Sequence, residues 1–360
     1  MTAILPSDPP NPPPWTPLHD RLHRELLQRP QLLPAGERLL VAVSGGQDSM
    51  ALVGLLADLR RLHGWELRIW HGDHGWRPES ADQAQALADW AGVAGLELVR
   101  NRSDGGSCSE AEARTWRYDH LTHWASELGC SRVVTGHTAN DRAETLLLHL
   151  ARGAHLRGLS SLRRCRPLRD SILLVRPLLG FSRTETTAFC HQAGLPVWQD
   201  PSNNSMAHAR NRIRHQVLPV LEALHPGAAR RLAALSERLE EEGKPLQELL
   251  PLALASLTTA GSDGTGLDRR KLVALSPASQ GHVVAHWLGQ RAELALSSQQ
   301  LTDLLRRLHP GQGPGSLDLK WGWRLSWDRR EIRLQPPLSG QRPPMRPPQP
   351  TEPSPKPPKD

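Results

Sequence analysis

The stretch Val41-Ala-Val-Ser-Gly-Gly-Gln-Asp-Ser-Met-Ala-Leu52 constrains this chain more than any other. An apolar run, RLLVAVS (38–44), stops at two glycines, and an apolar helical pattern, SMALVGLLADLRRLHG (49–64), starts directly after them. Strand, tight turn and helix in that order are the layout of many phosphate-binding loops. Glycines let the backbone come close to an anion with N–H groups aimed at it, and the helix that follows offers its positive end. The Gly-Lys-Ser/Thr ending of a Walker A loop is missing. Its place is taken by Ser44, Gly45, Gly46, Gln47, Asp48 and Ser49. The two serines add hydroxyl donors, but Asp48 would repel a phosphate unless Mg²⁺ bridges the two. Residues 44–49 therefore read as a phosphate pocket with Asp48 as the metal ligand.

The same alternation continues. ELRIWHGD (66–73), LELVRN (96–101) and SRVVTGH (131–137) read as strands, separated and followed by the helical patterns 80–95, 108–129 and 142–153. Strands alternating with helices of this length predict an α/β fold, a doubly wound parallel sheet covered on both faces. Ligands of such sheets sit beyond the carboxyl ends of the strands, where the 44–49 turn falls. Near residue 200 the pattern turns helical, and SLDLKWGWRLSWDRREIRL (316–334) closes it as a small hairpin about Asp-Arg-Arg. The expected domains are a catalytic domain over 18–215 and a smaller, mainly helical C-terminal domain over 216–335. Of the 32 prolines, many crowd the two ends, so 1–17 and 336–360 read as disordered tails.

Charge and cysteine usage narrow the class. The net charge of +7 suggests an anionic partner, and RRLHGWELR, RGLSSLRRCRPLRD and RNRIRH concentrate it. Each cluster alone reads equally as a solvated face; together, beside a nucleotide-type loop, they favour nucleic acid. The four cysteines, Cys108, Cys130, Cys165 and Cys190, form no CxxC pair. That argues against zinc ribbon, iron–sulfur site and disulfide framework, and suits a reducing cytoplasm. No run of about 18 apolar residues predicts a membrane span.

Three further stretches carry chemistry. HGDHGWRPES (71–80) packs His71, Asp73, His74 and Arg77 at a strand end, either for a metal or for nucleotide or substrate contact. In EAEARTWRYDHL (110–121), Arg114 and Arg117 share a helix face, as phosphate contacts or as solvated charges. TGHTANDRAET (135–145) sets His137, Asp141 and Glu144 at a strand-to-helix junction. Asp141 and Glu144, three apart, either cap the helix or hold a cationic amine.

The Ser-Gly-Gly-x-Asp-Ser turn resembles the pyrophosphate loop of the N-type ATP pyrophosphatases, which split ATP into AMP and pyrophosphate. Within that superfamily, HGDHGWRPES resembles the HxxHGLRxxS segment of the tRNA(Ile)-lysidine synthetase family, with Trp76 in place of leucine. EAEARTWRYDHL is similar to its EAxARxxRYxxL. TGHTANDRAET resembles its GHxxDDQAET, with Asn140 and Arg142 replacing aspartate and glutamine. Residues 176–219 are similar nearly throughout, including Arg183 with Glu185, Asp200 with Ser202-Asn203, Arg210-Asn211 and Ile213-Arg214. The resemblance covers 38–219 closely and the helical region loosely.

It implies that ATP, with Mg²⁺, adenylates the C2 oxygen of the wobble cytidine in an isoleucine tRNA with a CAU anticodon. Free L-lysine then attacks C2 and expels AMP. It further implies that Asp141 and Glu144 orient lysine, that Arg114 contacts phosphate or substrate, and that Arg210 and Arg214 lie near the α-phosphate or tRNA backbone. His137 would either take the amine's proton or contact phosphate. The segment 152–167 and the helical domain would grip tRNA. A homodimer is expected, without a second C-terminal tRNA-binding domain. Two other readings stand beside this one: a different adenylating enzyme of the superfamily, and a non-catalytic nucleotide- or RNA-binding module.

Overall fold

The computed structural model describes residues 15–73, 80–103, 110–154, 156–160, 162–169, 171–198, 206, 208–259, 266–292, 294, 296–309 and 311–337. His74, Arg77, Cys108, Asp200, Ser202, Asn203 and most of both tails lie outside them. The chain divides into two compact units, 1–242 and 243–360.

The first unit runs α1 (Pro17–Gln28), β1 (Arg38–Ala42), α2 (Gln47–His63), β2 (Glu66–Asp73), α3 (Ser80–Val93), β3 (Glu97–Arg102), α4 (Glu110–Glu127), β4 (Arg132–Thr135), α5 (Ala139–Ala151), α6 (Leu156–Leu159), β5 (Cys165–Arg169), β6 (Ile172–Val175), α7 (Arg183–Gln192), α8 (Ala209–Arg212) and α9 (Leu218–Leu224); α10 (Ala228–Leu257) follows. Among the described residues the strands form one sheet in the order β3-β2-β1-β4-β6-β5. Five are parallel neighbours, and β5 joins the edge antiparallel to β6. The doubly wound parallel sheet expected from the sequence is thus present, with one strand pair the sequence reading did not resolve. Order reverses between β1, which leads outward to β2, and β4, which begins the other half. That reversal is the switch point where open α/β sheets bind ligands.

Helix α2 is why the switch point is rigid. Met50 through Leu56 and Leu59 are buried, so it is apolar nearly all round, packed among the sheet, Leu22 and Leu26 of α1, and Phe189 of α7. Each fully buried leucine or methionine contributes about 2 kcal/mol of transfer free energy. Gly64, left-handed at φ 69°, ends the helix, and Arg60, Arg61 and His63 sit on its negative end.

A second fixing device is ionic. Arg142, the residue in place of the family's glutamine, has a fully buried side chain. It reaches Glu240 Oε2 at 3.0 Å and Glu237 Oε2 at 3.4 Å, tying α5 to α10. Arg164 adds Glu237 at 2.7 Å and Glu25 at 3.4 Å. Arg164, expected to help grip RNA, therefore faces inward. Replacing both acids, Glu237→Gln with Glu240→Gln, strands Arg142 without a counter-charge and is expected to cost about 3–5 kcal/mol. The thermal midpoint should fall by about 10 °C, read by circular dichroism; an unchanged midpoint contradicts this account.

The second unit holds α11 (Arg269–Val273), α12 (Pro277–Ala292) and α13 (Ser298–Leu308) beside strands β7 (Leu267–Asp268), β8 (Gly315–Asp318), β9 (Arg324–Trp327) and β10 (Glu331–Gln335). The strands form an antiparallel sheet in the order β7-β10-β9-β8. The expected hairpin is its β9–β10 pair, turned where Asp328 accepts from the N–H groups of Arg330 and Glu331. Trp287, Leu288, Leu304, Leu325 and Ile332 form its core. Buried Arg269 staples it by donating to the carbonyls of Leu308, His309, Gln312 and Asp328. Among the described residues no helix is long and apolar enough to cross a membrane.

Candidate active site

The 44–49 turn forms as its composition predicts. Ser49 Oγ accepts from Ser44 N at 3.1 Å and donates to Gly46 O at 2.8 Å, closing the loop on itself. Gly45 has φ +85°, and a Cβ there would meet the Trp198 ring at 2.6 Å. Gly46 starts α2 without a side-chain cap, so the helix's positive end is left to the pocket. The end of β4 closes on this turn: a Cβ on Gly136 would lie 2.6 Å from the Asp48 carbonyl oxygen.

Helix α5 presents Asp141 and Glu144 to the same edge. Asp141 Oδ2 accepts from the backbone N–H and the hydroxyl of Thr138, at 2.8 and 2.9 Å, and caps the helix. Its other oxygen turns outward to two guanidiniums, Arg210 at 2.8 Å and Arg183 at 3.2 Å. Glu144, fully buried, is held by Arg210 at 2.7 Å, Arg214 at 2.8 Å and Arg183 at 3.3 Å. Arg183 extends to Asp48 at 3.2 Å, so one side chain touches all three carboxylates. Thr186 donates to the second Asp48 oxygen at 2.5 Å.

The electrostatics follow from this packing. Burial would raise the Asp141 carboxyl, but Arg183 and Arg210 overrule it and hold it well below the ordinary carboxylate range. Asp48 shifts the other way: burial, with Asp141 adding to it, raises its carboxyl against the pull of Arg183 and Thr186. Asp48 is therefore the carboxylate that still gains from a cation. Among the described residues no three metal-ligating side chains cluster, and Asp48 is the residue that would hold a Mg²⁺ ion here. The residues fit that ion.

His137, hydrogen-bonded to Thr135 at 3.0 Å, is pushed down by burial to about 3 and stays neutral at physiological pH. Arg114 does not join the carboxylates. It lies on the exposed face of α4, its guanidinium 4.9 Å from the Tyr118 ring, near enough to act on His137 through its charge. His71 is buried, donating from Nδ1 to Val43 O at 2.8 Å, and supports the β1–β2 edge. Burial pushes the Cys130 and Cys190 thiols up to about 11 and about 12; with Cys165 they are free, and none has the character of a nucleophile.

Sequence reasoning placed Asp48 and the Asp141–Glu144 pair at the carboxyl edge of the sheet and Arg210 and Arg214 near the α-phosphate or the tRNA backbone; the structure brings all five together. It missed Arg183 as the hub. A signal was available: Ser182 and Glu185 form a capping box, which puts Arg183 at the first helical position of α7. A cation there is opposed by the helix dipole and needs carboxylates to hold it. Asn140 also has a use, because its Oδ1 accepts from Arg183 N at 2.9 Å. Arg210 precedes, and Arg214 lies within, a π-turn over Ile213–Val217, a local widening common at functional sites.

A glycine turn at a parallel-sheet switch point, an open helix N-terminus and an adjacent carboxylate define an ATP-using enzyme of the PP-loop class. Comparison with known proteins agrees. Residues 18–221 match the family described as "PP-loop domain", and 267–333 the "TilS substrate binding domain". The chain is 53% identical over 331 residues to a tRNA(Ile)-lysidine synthase of Parasynechococcus marenigrum, covering 91% of this chain and 97% of that protein. It is 44% identical over 329 residues to one of Prochlorococcus marinus, covering 89% and 97%. A U34-tRNA thiolase of Methanococcus maripaludis shares the fold at a TM-score of 0.53 and 20% identity, over 62% of this chain and 78% of that one. The chain belongs to the tRNA(Ile)-lysidine synthase family of ligases.

Proposed function

We propose that this enzyme joins free L-lysine to C2 of the wobble cytidine in a tRNA(Ile) with a CAU anticodon. The observation that carries the reading is Arg183, which links the pyrophosphate loop at Asp48 to the Asp141–Glu144 pair. A site for a polyphosphate and a site for a cationic amine thereby share one wall.

The cytidine C2 oxygen attacks the α-phosphorus of ATP, and pyrophosphate leaves toward the 44–49 turn. The lysine ε-ammonium gives up a proton to solvent, its nitrogen bonds to C2, the C2–oxygen bond breaks, and AMP departs with the oxygen. Ser44, Gly45, Gly46, Gln47 and Ser49 supply backbone and hydroxyl donors to the leaving pyrophosphate. Mg²⁺ held by Asp48 would neutralise that charge. Asp141 and Glu144 orient the amine, a gain from positioning. A neutral imidazole held near 3 is a poor acceptor for an ammonium proton, so His137 serves as a hydrogen-bonding contact to the nucleotide. Arg210 and Arg214 balance the α-phosphate, and Arg114, on the open face of α4, meets substrate phosphate. The cytidine must leave its stack to reach this edge, which favours an anticodon loop over a duplex. The family resemblance extends the reading to a homodimer, and the free cysteines suit the cytoplasm.

The test is incubation of enzyme, ATP, Mg²⁺ and labelled lysine with transcripts differing only in the anticodon. Label should enter the CAU transcript and not the UAU one. Equal labelling of both contradicts the reading.

A further inference from the structure

The carboxylates assigned to lysine are already saturated by donors of this chain. Asp141 Oδ2 takes two donors from Thr138, and its Oδ1 takes Arg183 and Arg210. Glu144 Oε1 takes Arg183 at 3.3 Å and Arg214 at 2.8 Å; Oε2 takes Arg210 at 2.7 Å and Arg214 at 3.1 Å. Each of the four oxygens thus accepts two hydrogen bonds, which leaves no well-aligned acceptor for an incoming ammonium. Counting Asp48, three carboxylates face three guanidiniums, so the cluster is neutral. An amine entering it meets three guanidiniums and gains no uncompensated negative charge. It binds only if a guanidinium leaves, and Arg183 already borders the anion pocket of the 44–49 turn, its side chain on Asp48 and its carbonyl on Gln47.

We propose that ATP binding opens the lysine site: the polyphosphate draws Arg183, Arg210 and Arg214 from Asp141 and Glu144, and lysine takes the oxygens they release. Nucleotide and amino acid then bind cooperatively, because each removes a cost the other would bear alone. The inference rests on the reading of Asp141 and Glu144 as the amine site. Its consequence is an order: lysine is recruited after ATP is in place.

Equilibrium dialysis with labelled lysine tests this on the full chain, with and without α,β-methylene-ATP and Mg²⁺. The analogue should tighten lysine binding by about tenfold or more, and lysine should tighten analogue binding by the same factor, as linkage requires. Arg214→Gln should strengthen lysine binding without nucleotide and shrink the analogue's effect; Arg210→Gln serves the same purpose if the first variant folds poorly. Equal lysine affinity with and without analogue, lost in Asp141→Ala, overturns the coupling and leaves the amine site standing. Lysine binding that Asp141→Ala does not change, or no lysine binding in either condition, overturns both.

Discussion

Asp141→Asn is expected to lower the rate of lysine transfer to tRNA by about 10²-fold, the scale of loss when a reacting group is no longer held in place. The residue caps α5 with one oxygen and anchors two guanidiniums with the other. Asparagine can keep part of the cap but not the charge. Three guanidiniums then face two carboxylates, and the surplus positive charge opposes the lysine ammonium. Steady-state kinetics should show a raised KM for lysine together with the lower kcat. A variant with wild-type kinetics for lysine would show that Asp141 is only a helix cap.

Gly136→Ala is the second large effect. The end of β4 and the first turn of α2 approach so closely that a Cβ at 136 would stand 2.6 Å from the Asp48 carbonyl oxygen, 2.8 Å from its carbonyl carbon and 2.9 Å from Ser49 Cα. These are backbone atoms of the pyrophosphate loop, which cannot rotate aside like the tip of a side chain. The chain must separate the strand end from the loop. Overpacking of this kind costs about 1–3 kcal/mol of stability, and a displacement of about 1 Å at the reacting groups costs about 10²-fold in rate. A thermal melt and a nucleotide titration read the two parts separately. Wild-type affinity for ATP in a folded Gly136→Ala protein would contradict the tight approach.

Much of this was legible in the chain, for identifiable reasons. Parallel strands buried on both faces read as apolar runs, so β1, β2 and β4 stand out, whereas the edge strand β3 has no fully buried residue and is legible mainly from the alternation of strand and helix around it. Asp141 and Glu144 were visible as a pair because three-residue spacing puts both on one helix face. The β5–β6 pair was hidden. Strand β5 is Cys-Arg-Pro-Leu-Arg, an edge strand with proline at a register shift, and its charges resemble a basic surface cluster. The capping box flags Arg183 locally, but its partners were hidden, because Asp48, Asp141 and Glu144 lie far from it in the chain. Arg142 could be seen as a departure from the family's motif, but its partners, Glu237 and Glu240, lie on a helix nearly a hundred residues later. Pairings at such separation leave no local periodicity to read.

The central claim is that this site couples splitting of ATP to attachment of lysine at one tRNA base. Nucleoside mass spectrometry of a CAU-anticodon isoleucine tRNA transcript, after incubation with enzyme, ATP, Mg²⁺ and lysine, tests it most directly. The account predicts a single modified cytidine, heavier by one lysine less one water, with one AMP and one pyrophosphate released per modified base. An unmodified cytidine beside consumed ATP, or release of ADP and phosphate in place of AMP and pyrophosphate, would contradict it.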